Sequence, residues 1–455
     1  MKQLSRRMVL KAAACGAVVL GWGRSVLAAN SKLQHACIGV GGMMGGGDMA
    51  TFGSQGKAEV VAVCDVDANN LAAAAKRLPN ARTYADWREM LDKEGDRIDS
   101  INATVPDHMH AAITVSALRK GKHVFCQKPM AHDVFEARAM TKAAEQSGKV
   151  TQLGNQFGSS IGERMAIALL RSNVIGPVKH VVVLAHRGGM DSLRPAGPRP
   201  SKTATPPAHL KWDLWLGTAP ERPYANGYHP STWRGYQDFG TGWSGDIGCH
   251  NLNVAYQGLK LTAPLTIKAR VQDSWAKTPE RRGETWPQSN HITWTFPGTA
   301  HTADQLTVEW YDGEFLPPPE IMKLIRIPNF RPKESTLFIG SEGVLFWPQV
   351  GGPQLWPLND NPATTQKFRN IERPQIAPID HFRSYIEACL GGAAPQCRFV
   401  LTGPMTEVVL LGTVAVRMAG QELRWDAANL KFPNCPEAEK YLRRNYREGW
   451  KVEGL

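Results

Sequence analysis

The chain has 455 residues, enough for two or three domains with sizeable cores, and its 42% hydrophobic content excludes a disordered, collagen-like or many-span membrane protein. Lys+Arg 53 against Asp+Glu 41 gives a net charge of +12. Five of those bases and no acid fall within residues 1–29, leaving 48 bases against 41 acids, or +7, without a basic run or basic helix. Nucleic-acid binding is therefore not expected, whereas anionic or neutral small molecules suit the charge equally.

The first 29 residues read as an address. Ser5-Arg6-Arg7-Met8-Val9-Leu10-Lys11 precedes a short Ala/Gly-diluted apolar stretch, Ala12 to Trp22, and then the small residues Ala28 and Ala29. This is the pattern of a twin-arginine export signal cleaved near Ala28 or Ala29, with the periplasm as destination. The apolar stretch is roughly half of the ~20 residues a membrane span needs, so an uncleaved anchor is the lesser alternative, and no span is expected later in the chain. Removal of the signal takes Cys15 and leaves seven cysteines, of which Cys37, Cys64 and Cys126 sit within or at the end of apolar runs and read as buried hydrophobes. Cys389 and Cys397 are close enough in sequence to bridge, but spacing leaves the geometry open. No Cys/His spacing of metal-site type occurs, and no metal is expected.

From His35 the pattern alternates strand and helix. Apolar runs at Ala36 to Val40, Glu59 to Val63, Ile98 to Ala103, His123 to Cys126 and Val150 to Leu153 are separated by helical stretches at Asn69 to Arg77, His108 to Arg119 and Val134 to Gln146. That texture predicts a doubly wound parallel sheet over about 33–155, with its ligand at the carboxyl ends of the strands. After Gly154 come a helix (Ile161 to Arg171), a long strand (Val178 to Ala185) and the Pro-rich stretch Leu193 to Pro207. Short strands near Leu265 to Val271, His291 to Phe296, Gln305 to Trp310 and Leu337 to Ile339 predict a large, mainly antiparallel sheet. Two helices, Ile379 to Leu390 and Met405 to Met418, and an aromatic-studded tail complete an α+β domain over 156–455, in which residues 420–455 are expected to pack back.

Ile38-Gly39-Val40-Gly41-Gly42-Met43-Met44-Gly45-Gly46 follows the first strand and opens a helix. Glycines there let a backbone approach a pyrophosphate, whose charge the helix N-terminus stabilises. The spacing is G-x-G-x-x-x-G, with Met44 where a third glycine is usual, so alone it also fits an ordinary Gly-rich turn. Asp65, at the end of the second strand, strengthens the dinucleotide reading: a carboxylate there accepts both ribose hydroxyls and repels a 2′-phosphate. NAD is favoured over NADP.

Three later segments resemble the Gfo/Idh/MocA oxidoreductase family: Val105-Pro106-Asp107-His108-Met109-His110-Ala111, His123-Val124-Phe125-Cys126-Gln127-Lys128-Pro129-Met130-Ala131, and Gly245-Asp246-Ile247-Gly248-Cys249-His250. Trp212-Asp213-Leu214-Trp215-Leu216-Gly217, Trp233-Arg234-Gly235 and the tail from Thr402 to Trp450 are similar to the family's exported bacterial branch. The resemblance implies a catalytic lysine at Lys128, acting on a sugar hydroxyl beside the nicotinamide, with a pKa drawn toward neutrality; the plain alternative is a solvated lysine at a strand end. Pro129 resembles a proline that often follows a cis bond and aims the lysine. The family's glutamate before that lysine is here Gln127, whose amide hydrogen-bonds but supplies no charge to hold Lys128 protonated.

Asp246 and His250 are four apart, so on a helix they share a face. The resemblance implies that both meet substrate and that the histidine acts as acid/base or as the lysine's partner; an N-cap aspartate and a packed core histidine are the alternative. It further implies cofactor contacts from Gly39, Gly41, Gly42, Met43, Met44, Asp65, Val105, Asp107, His108, His110, Gln127, Lys128, Asn155, Gln156, Trp233 and Arg234. Arg234 also joins Lys128, Asp246 and His250 against the substrate. For Asp107 a helix-cap role is equally open, and Trp212 and Trp215 read first as core. Homodimer or homotetramer assembly is implied by resemblance alone.

The compartment constrains the chemistry. No soluble pool of nicotinamide nucleotide is expected in the periplasm, so the cofactor should be exported with the folded protein and stay tightly bound. The first reading is an NAD(P)-dependent oxidoreductase acting on a sugar or glycoside hydroxyl. The second is a redox-assisted glycoside hydrolase working by transient C3 oxidation, elimination, hydration and re-reduction. The third is a sugar-binding protein without turnover.

Overall fold

A computed structural model describes residues 32–187 and 198–455. The expected export signal and the start of the Pro-rich stretch, Leu193 to Ala196 with Gly197, lie outside the described residues. Six strands, β1 (Leu33–Ile38), β2 (Ala58–Cys64), β3 (Arg82–Tyr84), β4 (Ser100–Ala103), β5 (His123–Cys126) and β6 (Thr151–Leu153), form a parallel sheet in the order β3-β2-β1-β4-β5-β6. Both faces are covered by helices, which is why every residue of β4, and β5 from Val124 to Cys126, is buried. The crossover helices are α1 (Gly45–Ser54), α2 (Ala68–Arg77), α3 (Trp87–Glu94), α4 (Asp107–Arg119) and α5 (Val134–Ser147). Asp67, Asp86 and Asp133 cap α2, α3 and α5 by accepting first-turn N–H groups, the local signal that starts each helix.

Strand order reverses between β1 and β4, and the turns leaving these two strands meet there. A Cβ on Gly39, at φ +80°, would lie 2.1 Å from the carbonyl oxygen of Thr104. The crevice that opens at such a switch point is where doubly wound sheets bind ligands.

After α6 (Ile161–Arg171), eight strands build a second sheet: β7 (Val178–Leu184), β8 (Thr266–Val271), β9 (Asn290–Pro297), β10 (Thr302–Tyr311), β11 (Ser335–Gly340), β12 (Gly343–Trp347), β13 (Gln354–Pro357) and β14 (Glu422–Arg424). Their order is β13-β12-β11-β7-β10-β9-β8-β14, antiparallel except for the β7–β10 pair. One face packs on α7 (Gly242–Gly258) and α9 (Phe399–Arg417), where the Trp294 indole donates to the Val408 carbonyl at 3.0 Å. Among the described residues α9 is the helix long and apolar enough to cross a membrane, yet 83% of it is buried in this core.

The sequence reading missed β3, α3, β12, β13 and β14. Strands β3 and β14 have three residues each, too few to show periodicity, and α9 starts six residues before the expected Met405 because Pro404 sits inside it. The helix α8 (His381–Cys389) precedes it. Among the described residues the seven cysteines are free and buried, so Cys389 and Cys397 form no disulfide. The tail returns to the first sheet: Arg444 donates through Nε to Glu136 on α5 at 2.9 Å, and its backbone N–H reaches Asp133 at 3.1 Å. Both sheets thus belong to one compact unit, Leu33–Leu455.

Candidate active site

A cavity of about 370 Å³ opens at the carboxyl ends of β1, β2, β4 and β5, with α7 and residues 214–234 as its opposite wall. Gly39, Gly41, Gly42, Met43, Met44 and Gly45 line one end. The turn is packed to the limit: a Cβ on Gly41 would meet the Asn70 amide at 2.0 Å, and one on Gly45 would lie 2.6 Å from the Gly39 carbonyl oxygen. Gly45 therefore fills the close-approach role one position later than the usual spacing. Met44 adopts ordinary right-handed geometry as the N-cap of α1, so no glycine is required there.

Asp65 is oriented by three neighbours. It accepts the Val40 N–H at 3.0 Å and the Asp67 N–H at 2.9 Å, with the Asn70 amide at 3.4 Å. Burial pushes its carboxyl upward against the pull of these donors. A turn that only glycine can occupy, opening a helix N-terminus beside a fixed carboxylate, suits the pyrophosphate and adenosine ribose of a dinucleotide.

Lys128 and Asp246 meet from opposite domains, their Nζ and Oδ1 atoms 2.7 Å apart. The Lys128–Pro129 peptide bond is cis. The expectation of a lysine drawn toward neutrality is overturned: burial pulls Lys128 down, but the Asp246 carboxylate outweighs it and the net shift is upward. Asp246 itself is raised by burial and lowered more by Lys128 and Arg234. The charge that Gln127 cannot provide is thus supplied from α7. Gln127 instead donates to the buried Asp48 at 2.9 Å and accepts the Lys128 N–H at 3.1 Å.

His250 stands one turn beyond Asp246 on α7, and both line the cavity. The alternative of a cap and a plain core histidine therefore fails: α7 begins at Gly242 with Thr241 as its N-cap, so Asp246 lies inside the helix. Burial first, and then the Lys128 charge, lower His250 to about 3, so the ring is neutral. Its Nδ1 lies 2.6 Å from Asn155 Oδ1, while the Asn155 amide donates to the Cys249 carbonyl at 3.0 Å. That second bond fixes the Asn155 amide orientation, so Nδ1 carries the hydrogen and Nε2 keeps a lone pair. Phe157 packs edge-on to the ring at 5.0 Å.

Asp107 is the first residue of α4 and is 2% exposed. One oxygen accepts from Thr241 twice, from N–H at 3.1 Å and from the hydroxyl at 3.0 Å. Burial, with the Asp246 charge next, raises its carboxyl to about 7. Val105, Gln156, Trp233 and Arg234 also line the cavity, with the Arg234 guanidinium 4.3 Å from the Trp233 ring centre.

Three expected cofactor contacts lie elsewhere. His108 and His110 are outside the cavity lining because backbone carbonyls hold their rings: His108 Nε2 is 3.0 Å from the Trp215 oxygen and His110 Nδ1 is 2.6 Å from that of Pro129. Asn155 likewise faces His250 rather than the cavity. Sequence reasoning missed Asp48, Asn70, Thr241 and His229. Of these, Asn70 had a signal in its place one turn after Asp65. Trp212 and Trp215 stack at 4.9 Å in an aromatic cluster, and Trp215 also lines the cavity.

Fold and site together define a nucleotide-binding protein with an acid/base cluster at the switch point of a doubly wound sheet. Two family models agree: residues 33–155 match "Oxidoreductase family, NAD-binding Rossmann fold" and residues 164–283 match "Oxidoreductase family, C-terminal alpha/beta domain", together more than half the chain. The chain belongs to the Gfo/Idh/MocA oxidoreductase family. It is 32% identical over 121 residues to D-glucoside 3-dehydrogenase of Escherichia coli, covering 27% of this chain and 34% of that one. It is 28% identical over 107 residues to levoglucosan dehydrogenase of Pseudarthrobacter phenanthrenivorans, covering 24% and 27%. The matches span about a third or less of these relatives' lengths. The crystal structure of the Bordetella pertussis WlbA dehydrogenase, in complex with NADH and UDP-GlcNAcA, shares the fold with a TM-score of 0.59 at 15% identity, over 87% of this chain and 99% of that one.

Proposed function

We propose that this chain is an NAD-dependent dehydrogenase of a sugar or glycoside hydroxyl that works in the periplasm with its nucleotide retained through turnover. The observation that carries the reading is the cluster of Lys128, Asp246 and a tautomerically fixed His250 in the same cavity as the glycine turn and Asp65. Gly39–Gly45 would hold the pyrophosphate and Asp65 the adenosine ribose, with the repulsion of a 2′-phosphate favouring NAD over NADP. When bound, the nicotinamide supplies the hydride acceptor.

The rest of the chemistry belongs to the chain. A substrate hydroxyl held by the Lys128 ammonium has its oxygen lone pairs stabilised, so its proton is more easily given up. His250 Nε2, neutral and unprotonated, accepts that proton as the carbinol carbon becomes a carbonyl. Asp246 balances the charge of Lys128 and then of the imidazolium. In the reverse direction the same atoms return the proton.

Asp107 favours a second reading, the redox-assisted glycoside hydrolase. A buried carboxyl near 7 holds or gives a proton at neutral pH, and elimination and hydration need such a group besides the Lys–His pair. Homodimer or homotetramer assembly belongs to the same proposal and is read by sedimentation.

The test has two parts. Denatured purified protein is expected to release about one NAD per chain, and protein that neither carries nor binds nucleotide would overturn the reading. Loaded protein is then incubated with sugars and aryl glycosides while 340 nm absorbance and aglycone release are followed. Lasting reduction without aglycone release supports the dehydrogenase, and aglycone release with no net reduction supports the hydrolase.

A further inference from the structure

Residues 204–239 are spatially attached to the first sheet, although they follow the first strand of the second. Leu210 pairs with Asp67 as an isolated antiparallel bridge, the Ala68 N–H donates to the His209 carbonyl at 2.8 Å, and the Lys211 N–H donates to the Val66 carbonyl at 3.0 Å. These two hydrogen bonds, which make the bridge, fasten the segment to the turn that follows β2, next to Asp65. An apolar cluster of Leu210, Trp215, Tyr224, Tyr228, Trp233 and Phe239 stiffens it and takes in Val66 from that turn.

At the fastening point stands Asp67, which is 5% exposed. Its Oδ1 accepts the Asn69 N–H at 2.8 Å as the cap of α2 and lies 2.9 Å from His209 Nδ1, while Oδ2 lies 3.2 Å from His229 Nε2. Both imidazoles come from the crossing segment. Burial raises the Asp67 carboxyl, but the Asn69 N–H and the two histidines outweigh it, so it stays charged. The segment then forms the cavity wall opposite the glycine turn, through Trp215, His229, Pro230 and Trp233. Asp65 and Val66 lie on the first-sheet side of the same opening.

We propose that residues 204–239 are a clasp over the adenosine end of the cavity, latched at Asp67 by His209 and His229, so that a bound dinucleotide leaves only when the latch opens. The inference rests on the nucleotide-retaining reading above and assigns the residues that would do the retaining. Backbone pairing sets the position of the clasp, and the carboxylate between two imidazoles sets how often it opens. His209 is the cleaner handle because it touches Asp67 without lining the cavity.

Protein loaded with NADH is mixed with a large excess of NAD, and the loss of bound-NADH fluorescence gives the release rate. His209→Ala is expected to raise that rate about tenfold, the effect of one hydrogen bond to a charged group, and His209→Ala with His229→Ala by more. His209→Asn, which offers an amide N–H near the place of Nδ1, is expected to restore slow release. Circular dichroism and melting near the wild-type values separate latch opening from unfolding. A rate unchanged in His209→Ala, or raised equally by His209→Asn, overturns the clasp while leaving the dinucleotide reading intact. Wild-type protein that takes up no NADH overturns both.

Discussion

Gln127→Glu tests the electrostatic account of the site, because it puts the family's usual residue beside a partner chosen for an amide. Gln127 Nε2 donates to Asp48 Oδ2 at 2.9 Å, and the Thr104 hydroxyl donates to the same oxygen at 2.8 Å. Asp48 is 1% exposed and its carboxyl is already pushed upward by burial. A glutamate oxygen in place of the amide nitrogen would face Asp48 at about 3 Å, a repulsion of roughly 5 kcal/mol at an effective dielectric of about 20. A shared proton relieves it, which holds the pair protonated well above the usual carboxylate range. For a raised carboxyl the penalty is absent below the unfolded pKa and complete above the folded one. The variant should therefore be less stable than wild type by about 1 kcal/mol at pH 5 and about 5 kcal/mol at pH 8. With an unfolding entropy of about 0.9 kcal/mol/K for a chain of this length, melting should fall by roughly 1 °C and 5 °C respectively. Scanning calorimetry of both proteins at the two pH values decides it. Equal losses at pH 5 and pH 8, or no loss at pH 8, would refute the argument.

Lys128→Met should lower turnover by roughly 10²–10⁴-fold while nucleotide affinity, by fluorescence titration, changes little. Gly39→Ala combines a left-handed φ of +80° with a Cβ 2.1 Å from the Thr104 carbonyl oxygen; it should cost about 3 kcal/mol or more in thermal stability and abolish dinucleotide binding in the same titration. Asp107, raised to about 7, subtracts stability as pH climbs from 4 to 7, since the folded state holds a proton that the unfolded chain has lost. Asp107→Asn should therefore melt higher than wild type at pH 8, by an equivalent of up to about 4 kcal/mol, gain little or nothing at pH 4, and lose any inflection near pH 7 in its pH–rate profile.

What was legible in the sequence follows the range over which each signal acts. Strand periodicity, the glycine turn and the aspartate after β2 are local, and a few neighbouring residues force each of them. Asp246 and His250 were legible as a pair because helical spacing alone puts them on one face. The partner of Lys128 was not, since Lys128 and Asp246 meet only when α7 is laid across the first sheet. His108 and His110 misled for the converse reason: polar residues after a strand suggest a site, but their rings are occupied by carbonyls 19 and 107 positions away along the chain. The glutamine in the lysine motif looked like a loss when viewed alone. The reason for an amide there, its acceptor Asp48, sits in α1 and was hidden among the glycines that drew attention to that helix, while the missing counter-charge comes from Asp246 on α7.

These two long-range pairings explain one another. An acid at position 127 would lie next to Lys128 and also against Asp48, so the first sheet would carry two buried carboxylates for one cation. With an amide there, Asp48 is satisfied by hydrogen bonds from Gln127 and Thr104, and among the described residues the carboxylate bonded to Lys128 Nζ comes from α7. The protonation of the lysine then depends on how the two sheets are docked, because Asp246 belongs to the second. A change that loosens this docking would remove the counter-charge and let burial lower the Lys128 pKa. The acid/base cluster is therefore complete only when the two sheets are docked. That dependence would suit the nucleotide-retaining enzyme proposed above.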